Sequence, residues 1–576
     1  MTLTHGAEAF RRARDFLLEN GADSAAARSD FEWPDVGDHF VWARDWFDGI
    51  ADGNHEVALW IVEDDGSEAK YTFDDLRRRS NRLAHRLRAL GVTRGDVVML
   101  MLPNRVELWV AMLAVMKLGA VVLPTSVVLG DGELQDRVDR ADVRCVIAEP
   151  VDAAKFADVT GRYIGLTVPA TTNAAITESP AGWTSVVDAE VEPDTPVEAD
   201  VRTSDPALIY FTSGTTSKPK IVEHSNASYP VGHLTTMYWI GVRPGDTHLV
   251  ISSPGWGKHA WSAFFAPWHV GATVFVLNYA KFDADRLVHE LERAQVASFC
   301  APPTVWRMLI QHHLTERPSA LREVISAGEP LNPEVIARIR EWWGLEIRDG
   351  YGQTETTALI ANAPGDAVTP GAMGRPLPGV DVVIVDPLTG EPAAEGEICL
   401  DLRTSWPLNL MTGYVKNPAS TARAFRDGYF HTGDVATVDE DGCLTFVGRT
   451  DDIFKSSDFK VSPFEVESAL VEHAFVAEAA VVGAPDETRL NITKAYVALA
   501  AGVEADAATA EAVLRHARTA LPPYMRVRRI EFFELPKTAS GKIRRVELRQ
   551  REVDAAGAGE RIATEWREED FPDLKR

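Results

Sequence analysis

Cysteine is scarce: four residues in 576, Cys145, Cys300, Cys399 and Cys443. They are far apart, with no CxxC pair and no metal-ligand spacing. That argues against a disulfide framework or a zinc centre and fits reduced thiols in a cytoplasmic protein. Long apolar runs are also missing. The most apolar stretch, Leu108 to Leu123, is interrupted by Lys117 and Gly119 and closed by Pro124. A bilayer span needs about 20 mostly apolar residues, so no membrane span is expected. The opening residues have no apolar signal-peptide region. Positive charge is in deficit, with 59 Lys and Arg against 85 Asp and Glu, a net charge of -26. Such a surface repels polyanions and argues against a nucleic-acid partner. It leaves room for small anionic ligands held by a local cationic cluster.

Three catalytic signatures are absent as well. There is no G-x-x-x-x-G-K-[ST] loop of a P-loop NTPase, no G-x-S-x-G elbow and no motif setting a cysteine beside a histidine. Hydrolase and P-loop chemistry therefore have no support.

What is present is an ordinary globular composition, 45% hydrophobic and 25% charged, in a chain long enough for two or three domains. Leu76, Leu83, Leu87 and Leu90 fall at helical spacing, and Gly91 and the strand-like run Val97 to Leu102 follow. Further strand-like runs are Ala120 to Leu123, Cys145 to Ala148, Leu208 to Thr212, Thr273 to Leu277 and Ala297 to Cys300. Strands alternating with helices predict parallel sheets covered by helices. Short strands with turns lead up to Gly448 and predict a small barrel-like β subdomain. A smaller α+β pattern comes next: helix Pro463 to Glu472, strands Val476 to Gly483 and Thr493 to Ala500, helix Ala507 to Ala520, strand Arg529 to Phe533. The predicted division is residues 1–449, a hinge at 450–452, and a mobile C-terminal domain at 453–576. The acidic tail Glu560 to Arg576 has no readable role.

Four stretches carry chemistry. A strand ending at Phe211 runs into Thr212, Ser213, Gly214, Thr215, Thr216, Ser217, Lys218, Pro219 and Lys220. Small side chains let backbone N–H groups approach phosphate oxygens, and hydroxyls and lysines add donors. In Asp349, Gly350, Tyr351, Gly352, Gln353, Thr354 and Glu355, glycines allow close approach to a planar ligand and Glu355 offers a hard oxygen for Mg²⁺. Tyr429 to Asp434, with Gly448 and Arg449, offers a carboxylate that could accept hydrogen bonds from vicinal hydroxyls. Leu535 to Lys542 places a lysine in a glycine-containing turn. Singly, each stretch could equally be a surface turn or loop.

Together, in this order, they resemble the adenylate-forming superfamily of acyl-CoA synthetases, adenylation domains and beetle luciferase. Ser326 to Pro330, Gly371 to Pro376 and Gly413-Tyr414 extend the resemblance over roughly Tyr71 to Arg545. Pro254 to Lys258, Ala301 to Thr304 and Gly442 to Arg449 make it most similar to medium- and branched-chain acyl-CoA synthetases.

That resemblance implies ATP-dependent activation of a carboxylic acid to an acyl-adenylate, then transfer to coenzyme A. It implies that Thr212 to Lys220 hold the β- and γ-phosphates, and that Asp349 to Thr354 line the adenine and α-phosphate. Gly328 and Glu329 flank the base, and Asp434 and Arg449 bind the ribose. Glu355 ligates Mg²⁺, and Lys542 bridges the acid and the α-phosphate. The acid is its own nucleophile, so catalysis is positioning and electrostatics. Asp451 matches the hinge. Rotation there brings Ser457, Asp458, Phe459 and Lys460 to the site for thioester formation. Coenzyme A phosphates could meet Lys460, Arg489, Arg526, Arg528 or Arg529.

Two positions depart from the family pattern: Ser217 where glycine is common, and Asp458-Phe459-Lys460 where Gly-Tyr-Arg is common. Acetate-restricted relatives carry tryptophan at the position of Gly352. Glycine there predicts room for an acid longer than propionate, or a branched or aryl acid, with Trp256 as a wall of the acyl pocket. The alternatives are an enzyme that loads a carrier protein and a non-catalytic nucleotide- or acyl-binding homologue.

Overall fold

The computed structural model describes residues 4–170, 176–212, 219–312, 316–329, 331–457, 459–486, 488–537, 543–558 and 561–575. Two large sheets form the N-terminal part. One has eight strands, with Pro206–Thr212, Val121–Pro124, Val97–Met101, Val143–Ala148, Ile164–Thr167 and Thr184–Ser185 side by side and parallel. Lys220–Ser225 and Gly413–Tyr414 extend its other edge antiparallel. The second sheet has nine strands. Its centre, Arg348–Gly352, Glu323–Ala327, Val296–Ala301, Thr247–Val250, Thr273–Leu277 and Val57–Val62, is parallel. Strands such as Val97–Met101 are nearly continuous apolar runs because helices cover both faces.

The helix Phe73–Ala89 begins with a capping box between Thr72 and Asp75 and buries Leu76, Leu83 and Leu87. The next helix, Val106–Leu118, is buried almost all round, Lys117 included. The Lys117 ammonium lies 2.6 Å from the Asp48 carboxylate and donates to Ser80 Oγ and Asn81 Oδ1, both at 2.8 Å. Burial lowers the Lys117 pKa and raises that of Asp48, so the charge that interrupts the apolar run is paired inside the core. No helix among the described residues is long and apolar enough to cross a membrane.

The expected β subdomain is an antiparallel set of five strands: Val382–Val385, Glu395–Asp401, Phe425–Arg426, Tyr429–Val438 and Leu444–Arg449. The C-terminal part has a four-stranded sheet of Val476–Asp486, Leu490–Leu499, Val527–Phe532 and Glu565–Arg567. It carries the helices Pro463–Val471, Ala507–Ala520 and Arg545–Ala558. Its main apolar core draws only on residues from Val461 onward. The tail that is featureless in sequence thus supplies an edge strand and two buried side chains, Phe571 and Leu574. All four cysteines are buried and free.

Candidate active site

The strands Arg348–Gly352, Lys220–Ser225 and Tyr429–Val438 bring the separate sequence stretches together. Antiparallel pairing sets Asp434 directly opposite Arg449, and Asp434 Oδ1 lies 3.6 Å from Arg449 Nη1. Asp434 Oδ2 accepts from the Tyr351 hydroxyl at 2.6 Å and from Gln353 Nε2. Gln353 Nε2 also donates to the Thr432 carbonyl at 2.9 Å. Burial and the adjacent Asp434 carboxylate hold the Tyr351 phenol well above its usual pKa. Burial works to lower the Arg449 pKa, but Asp434 and Asp451 outweigh it and raise it. The Arg449 Nε donates to Asp451 at 3.0 Å.

At the other end stand Glu355, Tyr414 and Lys220. The Tyr414 hydroxyl donates to Glu355 Oε1 at 2.9 Å, and Lys220 Nζ sits 4.7 Å from the centre of the Tyr414 ring. His224 Nε2 lies 2.7 Å from the Thr354 carbonyl oxygen, pinning the backbone just before Glu355. Burial pushes the His224 pKa down to about 4, so it is neutral and donates from Nε2. Tyr414 belongs to a short strand paired with Lys220–Ser225. Sheet pairing, not sequence proximity, therefore places it against Glu355.

Asp349 is buried and accepts the Gly350 N–H at 3.0 Å. Burial raises its pKa to about 7. Its hydrogen bond anchors the start of its strand. Gly350 fits against the Trp239 indole. Gly328 has φ +104° and, with Glu329, is exposed at the end of Glu323–Ala327. Arg545 lies near enough to Glu329 for the charges to act on each other. Ser213 to Lys218, Asp458 and Lys542 lie outside the described residues.

The open space expected beside Gly352 is not there. A Cβ at that position would collide with the Thr357 carbonyl oxygen and lie 2.7 Å from Trp261 Cη2. Trp261 is buried, and its Nε1 donates to the Tyr229 hydroxyl at 2.7 Å. The indole closest to Gly352 is thus Trp261. Trp256 is half-buried five residues earlier, as the N-cap of the helix Gly257–Ala260.

Ser457, Phe459 and Lys460 sit on a hairpin of Phe454–Ser456 with Phe459–Val461 and are exposed, Phe459 by 55%. Phe459 stacks on Tyr524, rings 5.0 Å apart. The Ser457 N–H donates to the Arg489 carbonyl at 2.7 Å. The contacts of this hairpin are with Arg489 and Tyr524 of the C-terminal part. Arg526 and Arg528 lie against Glu568 of the tail.

One further cluster supports the site from behind. His431 Nδ1 is 2.8 Å from Glu397 Oε2 and 3.5 Å from Cys399 Sγ, and Glu397 Oε1 accepts the Gly433 N–H at 2.8 Å. The direct hydrogen bond makes this a buried pair holding the turn before Asp434. Trp261, Tyr229, His224 and Glu397 belong to none of the sequence motifs. The aromatic density of the segment from Trp256 to Trp268 was the one available signal.

Residues 51–415 match the AMP-binding enzyme family, and residues 465–542 match the AMP-binding enzyme C-terminal domain. The chain is 43% identical to 4-hydroxybutyrate–CoA ligase 1 of Metallosphaera sedula, covering 90% of this chain and 92% of that one. It is 34% identical to the mitochondrial acyl-coenzyme A synthetase ACSM3 of Mus musculus, covering 94% and 96%. The anthranilate CoA ligase AuaEII, solved with anthranoyl-AMP, superposes with a TM-score of 0.78 at 27% identity, over 90% of this chain and 98% of that one. The chain belongs to the AMP-binding enzyme family, in its acyl-CoA ligase branch.

Proposed function

We propose that this protein joins a carboxylic acid to coenzyme A in two steps, with ATP converted to AMP and pyrophosphate. In the first, a carboxylate oxygen attacks the α-phosphorus of ATP, the bond to the β-phosphate oxygen breaks, and pyrophosphate leaves. In the second, the coenzyme A sulfur attacks the acyl carbon, its proton is released, and AMP leaves. Neither step needs a side-chain nucleophile. The protein's part is to position charges and exclude water.

The observation that carries this reading is the pair of polar groupings joined by the segment Tyr351 to Glu355, which reaches Asp434 at one end and Tyr414 at the other. Asp434, with Arg449 alongside and Tyr351 and Gln353 on one oxygen, suits vicinal ribose hydroxyls. Lys220, Tyr414 and Glu355 suit a triphosphate. Thr212 to Lys220 are assigned to the β- and γ-phosphates, Gly328 and Glu329 to the edge of the base, and Gly350 to Thr354 to the adenine and α-phosphate side. Glu355 is half-buried, with a hard carboxylate oxygen held by the Tyr414 hydroxyl. That suits Mg²⁺, which takes one or two carboxylates and fills its shell with phosphate oxygens and water. When bound, the ion offsets charge on the departing pyrophosphate. Lys542 is assigned to the bridge between acid and α-phosphate.

The division at 449 with a hinge at 450–452 is supported by the separate core of the C-terminal part. The electrostatic influence of Glu329 on Arg545 and the exposure of the Ser457–Lys460 hairpin support assigning this orientation to the first step. Turning about Asp451 is assigned to the second, with Lys460, Arg489 and Arg526 meeting coenzyme A. The acid is read as short to medium in length, linear, hydroxylated or branched, lying against Trp261. A metabolic role with such fatty acids, in the cytoplasm, agrees with four buried free cysteines. Acid-dependent exchange of labelled pyrophosphate into ATP across a panel of acids tests the first step. Mass detection of acyl-CoA tests the second. No exchange with any acid in the presence of magnesium would refute the proposal.

A further inference from the structure

The C-terminal tail does more than close the sheet. Glu565–Arg567 pairs antiparallel with Val527–Phe532, with Arg567 opposite Arg529 and Glu565 opposite Glu531. Lys494, with no exposed surface, lies 2.7–3.0 Å from Glu531, Glu552 and Glu565 together. Phe571 and Leu574 enter the core beyond the strand. The next tail residue, Glu568, lies between these two anchors. Its carboxylate is 2.7 Å from Arg518, 3.2 Å from Arg528 and 3.4 Å from Arg526.

Three guanidiniums on one carboxylate leave positive charge in surplus. Burial lowers the Arg528 pKa, and Arg489 and Arg526 depress it further. Arg489 therefore belongs to the same patch. Asp486 adds a second negative charge nearby, its Oδ1 accepting the N–H groups of Thr488 and Arg489, so four arginines face two carboxylates. The Arg489 carbonyl ties the patch to the Ser457 hairpin. There the Phe459–Tyr524 stack is exposed, 55% and 38%. On a chain of charge -26, arginines grouped beside an aromatic face have the chemistry that receives a phosphorylated nucleotide.

We infer that Glu568 is the resident counterion of the arginines that take a coenzyme A phosphate, so that the C-terminal tail sets how tightly the thiol substrate is held. This rests on the coenzyme A reading given above. The carboxylate uses the same guanidinium N–H donors a phosphate would use, and it holds the arginines together when no phosphate is present. An incoming phosphate must share or displace it. Removing its charge while keeping an acceptor oxygen favours the phosphate.

The test is the KM for coenzyme A of full-length Glu568→Gln, with acid and ATP saturating, over a salt series. Expected is a KM lowered about three- to tenfold at low ionic strength, the size of one unit charge acting across a half-buried site that solvent still reaches. The effect should shrink with added salt and be weaker with 3′-dephospho-coenzyme A. Acid-dependent pyrophosphate exchange, which needs no thiol, should be unchanged. Arg518→Met gives a second readout: it frees the carboxylate to engage Arg526 and Arg528 fully, so KM should rise. An unchanged or raised KM in Glu568→Gln, or an unchanged or lowered KM in Arg518→Met, overturns the inference. Exchange without any acyl-CoA product in the unaltered enzyme would instead overturn the coenzyme A reading itself.

Discussion

The Trp261 indole stands where a side chain on Gly352 would have to go, its Cη2 only 2.7 Å from the position of an added Cβ. Glycine at 352 is therefore a packing requirement, not an opening. The Trp261 ring is held in place by the hydrogen bond from its Nε1 to Tyr229.

Trp261→Ala should lengthen the preferred acid. Each buried methylene is worth about 1–3 kcal/mol in discrimination. kcat/KM for acids two or more methylenes longer than the best native substrate should thus rise by about tenfold or more. A chain-length series in both proteins checks this, and an identical profile would show that Trp261 does not border the acyl group. Gly352→Ala should lower activity with every acid, because the collision with the Thr357 carbonyl has no flexible neighbour to relieve it.

Asp434→Asn should separate ribose recognition from chemistry. The carboxylate already carries Tyr351 and Gln353 on one oxygen, and charged hydrogen bonds are worth about 1.5–3 kcal/mol. KM for ATP is expected to rise about 10- to 100-fold. The preference for ATP over 2′-deoxy-ATP should largely disappear. Retention of that preference would place the ribose elsewhere.

The legible features of this chain were those written in neighbouring residues. Val97 to Leu102 and Thr273 to Leu277 read as buried strands because parallel strands covered on both faces are apolar at every position. The stretch from Asp349 to Glu355 read as a site because its chemistry is contiguous. Pairings between distant segments left no such trace. Tyr414 reaches Glu355 only through the pairing of its strand with Lys220–Ser225, and Trp261 meets Gly352 across 90 intervening residues. Glu568 looked like one more charge in a solvated tail, because nothing local announces three arginines arriving from a helix and a strand. Lys117 read as an interruption of an apolar run. Its partner Asp48 lies in another helix, and only packing reveals the pair.

Stability should fall steeply in acid. Burial pushes the pKa of His224 down to about 4 and those of His248, His259 and His269 to about 3, and holds His233 well below the usual value. The unfolded chain takes up protons on these rings near pH 6.5 and the folded one does not, so their contribution is complete above that pH and is lost on the way down to about 3. Asp349 acts in the opposite sense. Its folded pKa of about 7 lies above the unfolded value, so its contribution is full in acid and fades as pH rises through 7. Melting temperature against pH should therefore drop sharply below pH 6. Asp349→Asn should stabilise the protein at pH 8 relative to pH 5. A flat profile between pH 4 and 7 would contradict the burial of the histidines.

Lys542→Ala should break the reaction in one half only. Arg545, three residues further on, feels the charge of Glu329 as well as those of Glu467 and Asp452. The Ser457 hairpin meanwhile stands exposed on the same domain, with Phe459 against Tyr524. If each loop serves one half-reaction, as proposed above, each half-reaction should depend on its own. Loss of a preorganised cation is worth about 10²–10³-fold. Acid-dependent pyrophosphate exchange in Lys542→Ala should fall by that factor, and acyl-CoA formation from supplied acyl-adenylate should be nearly unchanged. Single-turnover measurement of the two steps distinguishes this from general damage. Equal losses in both would mean that Lys542 serves the fold, or that the C-terminal domain does not turn between steps.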